Sequence, residues 1–111
     1  MRVLLVDDDV QVLRALERMF KHRVQAVRTT TSPREALDIL DREPFDVVIS
    51  DYKMSELDGA EFLALVAERH PRSRRILLSG SSHPPRGLDA IFITKPYTDD
   101  ELLEAALSER P

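Results

Sequence analysis

The sequence predicts an α/β fold, a doubly wound sheet of five parallel strands, and three observations carry that expectation. Short apolar runs alternate with amphipathic stretches along the chain. Two of the runs, Val47-Val48-Ile49 and Ile76-Leu77-Leu78, are continuously apolar rather than alternating, which suits strands covered on both faces. The stretches between the runs carry apolar residues at helical spacing, and right-handed crossovers place such helices on both faces of a parallel sheet.

The five expected strands are Val3–Val6, Val24–Val27, Asp46–Ser50, Arg75–Ser79 and Ala90–Thr94. After the first strand, Val12, Leu13, Leu16, Met19 and Phe20 fall on one helical face. The second helix has a marked start: Ser32 as N-cap, Pro33 at the first helical position and Glu35 completing a capping box. Its Ala36, Leu37, Ile39 and Leu40 face the sheet. Gly59 precedes a third helix with Phe62, Leu63 and Val66 inside, and Asp58 before it reads as a turn and cap residue. The last helix opens with a second capping box, Thr98 to Glu101, and buries Leu102, Leu103, Ala106 and Leu107. One helix is missing from the alternation. Between the fourth and fifth strands stands Gly80-Ser81-Ser82-His83-Pro84-Pro85-Arg86-Gly87. Adjacent prolines remove backbone donors and restrict the residue before them, so a loop or one short turn is expected there.

Composition narrows the function. The 111 residues, 42% of them hydrophobic, suit one domain, residues 1–111, folded around a single core and exclude an enzyme with separate cofactor and substrate domains. A net charge of −4 and six aromatics without Trp argue against direct nucleic-acid binding. The absence of Cys excludes disulfides and thiolate metal sites, and the three His have no metal-ligand spacing. No apolar run is long enough for a membrane span, and Asp7, Asp8 and Asp9 interrupt any signal-peptide core, so a soluble cytoplasmic protein is expected. The basic segment Arg69 to Arg75 reads as a solvated loop.

In open α/β sheets, functional groups collect at the carboxyl ends of the strands. Asp7, Asp8 and Asp9 follow the first strand, Asp51 ends the third, Ser79 ends the fourth, and Lys95-Pro96 follows the fifth. On a sheet of order 2-1-3-4-5 these groups converge on one edge. Carboxylates gathered at one point repel one another unless a cation intervenes, and hard oxygen ligands suit Mg²⁺ or Mn²⁺. A carboxylate beside such an ion is a nucleophile toward phosphorus, and a lysine and a serine hydroxyl suit the phosphoryl oxygens. The chemistry suggested is phosphoryl transfer onto an aspartate. Asp9 fits better as a helix cap than as a ligand.

Four motifs in order, Leu4-Leu5-Val6-Asp7-Asp8-Asp9, Ser50-Asp51-Tyr52-Lys53-Met54, Leu77-Leu78-Ser79-Gly80 and Thr94-Lys95-Pro96, resemble the receiver domain of response regulators in two-component signalling. The resemblance spans essentially the whole chain and implies a flavodoxin-like fold. It further implies that Asp51 is the phosphoacceptor, supplied by a sensor histidine kinase or a phosphotransfer protein. Asp8, Asp51 and the backbone carbonyl of Lys53 are implied as direct Mg²⁺ ligands, with Asp7 acting through a water. Ser79 and Lys95 are implied as phosphoryl contacts, Phe92 as the aromatic that turns inward on activation, and Lys95–Pro96 as a cis peptide. The module would switch the binding of a downstream protein, or of a second copy in a homodimer, rather than turn over a metabolite.

Two departures from the family pattern stand out. Ser55 occupies a position where a proline usually follows the methionine, and Ser79 to Lys95 spans only 16 positions, several fewer than usual. The second departure supports an alternative reading, a pseudo-receiver acting as a phosphorylation-independent interaction module through apolar surface that the missing helix exposes. A phosphohydrolase is disfavoured because the chain has no room for a substrate-covering cap.

Overall fold

The computed structural model describes residues 1–109. Its elements run β1 (Arg2–Val6), α1 (Val10–Phe20), β2 (Ala26–Thr30), α2 (Pro33–Arg42), β3 (Val47–Asp51), α3 (Gly59–Arg69), β4 (Arg74–Ser79), β5 (Ile91–Thr94) and α4 (Asp99–Leu107). The strands form one parallel sheet of order β2-β1-β3-β4-β5. The doubly wound fold expected from the sequence is therefore present.

Why the central strands are apolar throughout follows from the two packed faces. Side chains alternate sides along a strand. Val3, Leu5, Val47, Ile49, Ile76 and Leu78 point to one face, where Leu13, Leu16 and Phe20 of α1 and Leu102, Leu103 and Ala106 of α4 cover them. Leu4, Val6, Val48 and Leu77 point to the other, beneath Ala36, Leu37, Ile39 and Leu40 of α2 and Phe62, Leu63 and Val66 of α3. Every helix face expected from the spacing is inward, Leu107 being partly buried.

Local signals at the helix starts were largely realised. Asp9 caps α1 by accepting from the Gln11 N–H. Thr98 and Glu101 complete the expected capping box of α4. At α2 only half of the box forms: Ser32 accepts from the Glu35 N–H, but the Glu35 carboxylate accepts from Thr30 Oγ1 at 2.9 Å instead of reaching back. Asp58 and Glu61 make a full box at α3, and Gly59 is the first residue of that helix rather than the one before it.

Strand β2 begins two residues and ends three residues later than expected, because Val24 packs against the core from the preceding turn while pairing with β1 begins at Ala26 opposite Arg2. The stretch Arg69–Arg75 is not simply a solvated loop. Arg74 and Arg75 belong to β4. Arg74 donates to the carbonyls of Ala105, Ala106 and Ser108 and so satisfies the end of α4. Arg75 donates to the carbonyls of Pro71 and Ser73, and also holds the Asp89 carbonyl at 3.0 Å and carboxylate at 3.4 Å.

No helix forms between β4 and β5. Instead the chain turns at Pro85–Leu88, where the Leu88 N–H reaches the Pro85 carbonyl and Gly87 takes φ +74°, the conformation glycine supplies in such a turn. Leu88 and Ala90 then pack on the α2–α3 side of the core. The expected bare apolar surface is covered only in part: Leu88, Ala90 and Phe92 are half-buried, while Ile91 of β5 is exposed, with Met1 and Val10 the other large exposed hydrophobics among the described residues. Arg75 is the clamp on this segment. Arg75→Ala should speed amide hydrogen exchange across residues 86–90 by about 10-fold or more while leaving α1 protection unchanged. Equal protection in the variant would show that Leu88 holds the segment alone.

Candidate functional site

The parallel sheet sets β1, β3, β4 and β5 side by side, so the residues that follow them meet at one edge. Asp7, beyond the end of β1, is only 4% exposed. One of its carboxylate oxygens accepts the Asp9 N–H at 2.8 Å. Burial pushes its pKa up to about 6; the nearby Asp51 charge adds to the rise, while the Asp9 amide and Lys95 oppose it. Asp8 is exposed, and its Oδ2 accepts the backbone N–H of Ser55 at 3.0 Å.

Asp51 is the last residue of β3, with its side chain 13% exposed and its Oδ1 2.5 Å from Lys95 Nζ. Lys95 is held at the edge by its own backbone, whose N–H donates to the Ser79 carbonyl at 2.7 Å. Ser79 is buried, and its Oγ accepts the Ser81 N–H at 3.1 Å. Asp51, Ser79, Gly80 and Ser81 line a hollow of about 470 Å³. Asp8, Ser55 and Asp58 line a second, wider one of about 560 Å³. Tyr52 and Lys53 line both and so join them.

The structure thus gathers Asp7, Asp51, Ser79 and Lys95 and places Asp8 on the adjoining hollow. Phe92 sits opposite Leu77 and packs half-buried on the α2–α3 side of the core; it does not line the hollow. The Lys95–Pro96 peptide is cis. Three neighbours were given no part in the site from the sequence, where Gly59 stood only for the start of a helix and Ser55 only for a departure from the family pattern. Tyr97 is half-buried, and burial together with the charges of Asp7, Asp51 and Asp99 pushes its phenol pKa up. Gly59 lies against the Asp51 carbonyl, and its N–H donates to the Tyr52 carbonyl at 2.7 Å. Ser55 contributes through its backbone N–H, a group that the proline usual at this position in the family would lack.

The donor set fits a hard divalent cation. Two carboxylates, Asp7 and Asp51, are close enough for one to raise the pKa of the other. Asp8 keeps one oxygen without a hydrogen bond, and the Lys53 carbonyl accepts none among the described residues. No three His, Cys, Asp or Glu side chains among those residues gather into a ready-made ion cluster, so a cation here would need oxygen from backbone or water besides the carboxylates.

A pH prediction arises here. The folded-state pKa of Asp7 lies above its ordinary 3.8, so its stabilising contribution is complete below that value and is lost as pH rises through about 6. At neutral pH without cation, ionised Asp7 costs about 3 kcal/mol. Asp7→Asn should therefore unfold several degrees higher than wild type at pH 7, with the gap narrowing toward pH 4. Thermal melts in chelator across that range check the sign; a variant less stable at pH 7 than at pH 4 relative to wild type would contradict it.

Comparison with known proteins places these residues in context. The family described as response regulator receiver domain matches residues 3–107. The transcriptional regulatory protein GlrR of Escherichia coli strain K12 is 35% identical over 109 residues, covering 93% of this chain and 24% of its own length. The chain spans about a quarter of the length of such curated relatives. Among solved structures, chemotaxis protein CheY4 of Vibrio cholerae superposes with TM-score 0.83 at 26% identity, covering 93% of this chain and 92% of that one. The BeF3-activated DrrB receiver domain gives TM-score 0.81 at 26% identity, with 92% and 90% covered.

Proposed function

Since the chain belongs to the response-regulator receiver family, we propose that Asp51 accepts a phosphoryl group from a phosphohistidine on a sensor kinase or phosphotransfer protein. The observation that carries this reading is the Asp51–Lys95 pair at 2.5 Å on the rim of the hollow that Ser79 lines. A carboxylate oxygen of Asp51 attacks phosphorus; the P–O bond forms as the P–N bond breaks, and the departing imidazole nitrogen keeps the electron pair and takes a proton from solvent. Lys95 loses its hold on one Asp51 oxygen and turns its charge to the phosphoryl oxygens. Ser79 Oγ already accepts from the Ser81 N–H, so its own proton is free to be donated to the phosphoryl group. Asp8, Asp51 and the Lys53 carbonyl would hold Mg²⁺, with Asp7 acting through a water, and the ion would offset the charge that builds as donor and acceptor meet.

The consequence is a change of charge at one edge of the sheet. Phosphorylation adds roughly −1.5 to −2 charge there. Ser79 and Lys95 are joined by a backbone hydrogen bond across β4 and β5, so a pull on one is felt by the other and by the loop that begins at Gly80. Binding of a downstream protein, or of a second copy, would read that change. The residues 1–111 act as one module in this reading, with no direct contact to nucleic acid or membrane; no helix among the described residues is long and apolar enough to cross a bilayer. A cytoplasmic location is part of the proposal. The phosphorylation-independent alternative would have to use Ile91 of β5, since Leu88, Ala90 and Phe92 already pack in part against the core.

The test is incubation with Mg²⁺ and a small phosphodonor such as acetyl phosphate, followed by intact mass and peptide mapping. One phosphoryl group per chain, on Asp51, supports the proposal. A chain that stays unmodified, or is modified elsewhere, overturns it.

A further inference from the structure

We propose that Ser55 and Glu56 form a latch that positions Asp8 and the Lys53 carbonyl for the divalent cation. The inference rests on the phosphoacceptor reading above and concerns how this chain assembles a site whose ligands come from separate segments.

Asp8 follows β1, whereas Lys53 lies in the loop between β3 and α3. The base of that loop is closed by the Gly59 N–H on the Tyr52 carbonyl at 2.7 Å. Its tip carries two further bonds on successive residues, directed to different segments. The Ser55 N–H donates to Asp8 Oδ2 at 3.0 Å. Glu56 Oε1 accepts from Ser32 Oγ at 2.8 Å, and the Arg34 N–H stands 3.4 Å from the same oxygen. Ser32 is the N-cap of α2, and Arg34 lies in its first turn. A helix start has unpaired N–H groups and favours negative charge, so the Glu56 carboxylate has a fixed seat there.

Three segments are tied together in this way: the start of α2, the loop after Asp51 and the turn after β1. The Ser55 bond uses one oxygen of Asp8 and leaves the other for a cation. It also fixes the rotation of an exposed side chain that would otherwise sample several rotamers. The loop it fixes is the one that carries the Lys53 carbonyl, two residues away. Ordering both ligands before the ion arrives removes part of the entropy that binding would otherwise have to overcome. The group responsible at position 55 is the backbone N–H, which every residue except proline possesses. Ser55 and Glu56 are positioning residues; neither touches the ion or the phosphoryl group.

The experiment is a Mg²⁺ titration of the whole chain without phosphodonor, read by calorimetry or by amide chemical shifts, with thermal melts as a check on folding. Ser55→Ala keeps the N–H and should bind Mg²⁺ as wild type does. Ser55→Pro removes it and should bind about 3- to 10-fold more weakly, as loss of one hydrogen bond predicts. Glu56→Ala should weaken binding over the same range, while Glu56→Gln, which keeps an acceptor for Ser32, should stay closer to wild type and so separate the latch from simple loss of charge. If Ser55→Pro does not fold, the Glu56 pair decides alone. Unchanged affinity in both Ser55→Pro and Glu56→Ala, or weakened affinity in Ser55→Ala, overturns the latch and leaves the phosphoacceptor reading intact. A wild-type chain that binds no Mg²⁺ near Asp51 overturns the cation part of that reading and the latch with it.

Discussion

Asp51→Asn is expected to take up no phosphoryl group under conditions in which the wild-type chain takes up one. The amide lacks the anionic oxygen that attacks phosphorus, so the loss is of the reaction itself rather than of a fraction of its rate. Asp51 is the carboxylate paired with Lys95, and its side chain is 13% exposed on the rim of the hollow that Ser79 lines. The neighbouring carboxylates are poor substitutes. Asp7 is buried and bonded to the Asp9 amide, and Asp8 faces the adjoining hollow. The variant should stay folded, because the amide is close in volume and its oxygen can still accept from Lys95. Intact mass after incubation with Mg²⁺ and acetyl phosphate checks the result. Labelling of the variant at the wild-type level would move the acceptor to another residue and remove the central assignment.

Gly59→Ala is expected to destabilise the fold and impair the site together. A Cβ at position 59 would sit far inside contact distance of the Asp51 carbonyl oxygen, 2.9 Å from its carbonyl carbon and 2.7 Å from Leu77 Cδ1. Two of these three atoms are backbone of the phosphoacceptor itself, so no side-chain rotation relieves the clash. Helix α3 or the end of β3 must move. Overpacking of this kind costs about 1–3 kcal/mol, and a rigid backbone neighbour places this case at the upper end. The expected result is a melting temperature lower by roughly 10 °C and slower labelling of Asp51 in the molecules that remain folded. A variant that melts with wild type would mean that α3 slides away from β3 without penalty. Glycine at this position is required by close approach and not by backbone angle, since among the described residues only Gly87 has positive φ.

Much of this architecture was legible in the chain because its signals are local. The runs Val47-Val48-Ile49 and Ile76-Leu77-Leu78 are apolar at every position since both faces of the sheet are covered, and they were found as strands. Ser32, Asp9 and Thr98 cap their helices as their types suggest, through bonds two or three residues long. Strand β2 was misplaced for the complementary reason. It pairs on one side only and is half-buried along most of its length, so its apolar content does not mark its limits. The role of Arg75 was missed because its partners at Asp89 and Pro71 are set by how loops lie on the sheet, and a cation in a basic run looks solvated until those carbonyls are placed.

By itself, then, the sequence determined the order of strands and helices, the absence of a helix between β4 and β5, and the identity of Asp51, Ser79 and Lys95 as strand-end groups. Periodicity, capping and proline chemistry act between near neighbours, and near neighbours are what a sequence displays. The family resemblance gave Asp7 and Asp8 different roles, but only the tertiary structure gave them different surroundings. The two are adjacent and identical in type, yet one is buried with its pKa raised to about 6 and the other is exposed and held by an amide 47 residues away. Burial and long-range hydrogen bonds depend on which segments the sheet register brings together. The same holds for the contact between Gly59 and Asp51 and for the clamp that Arg75 places on Asp89.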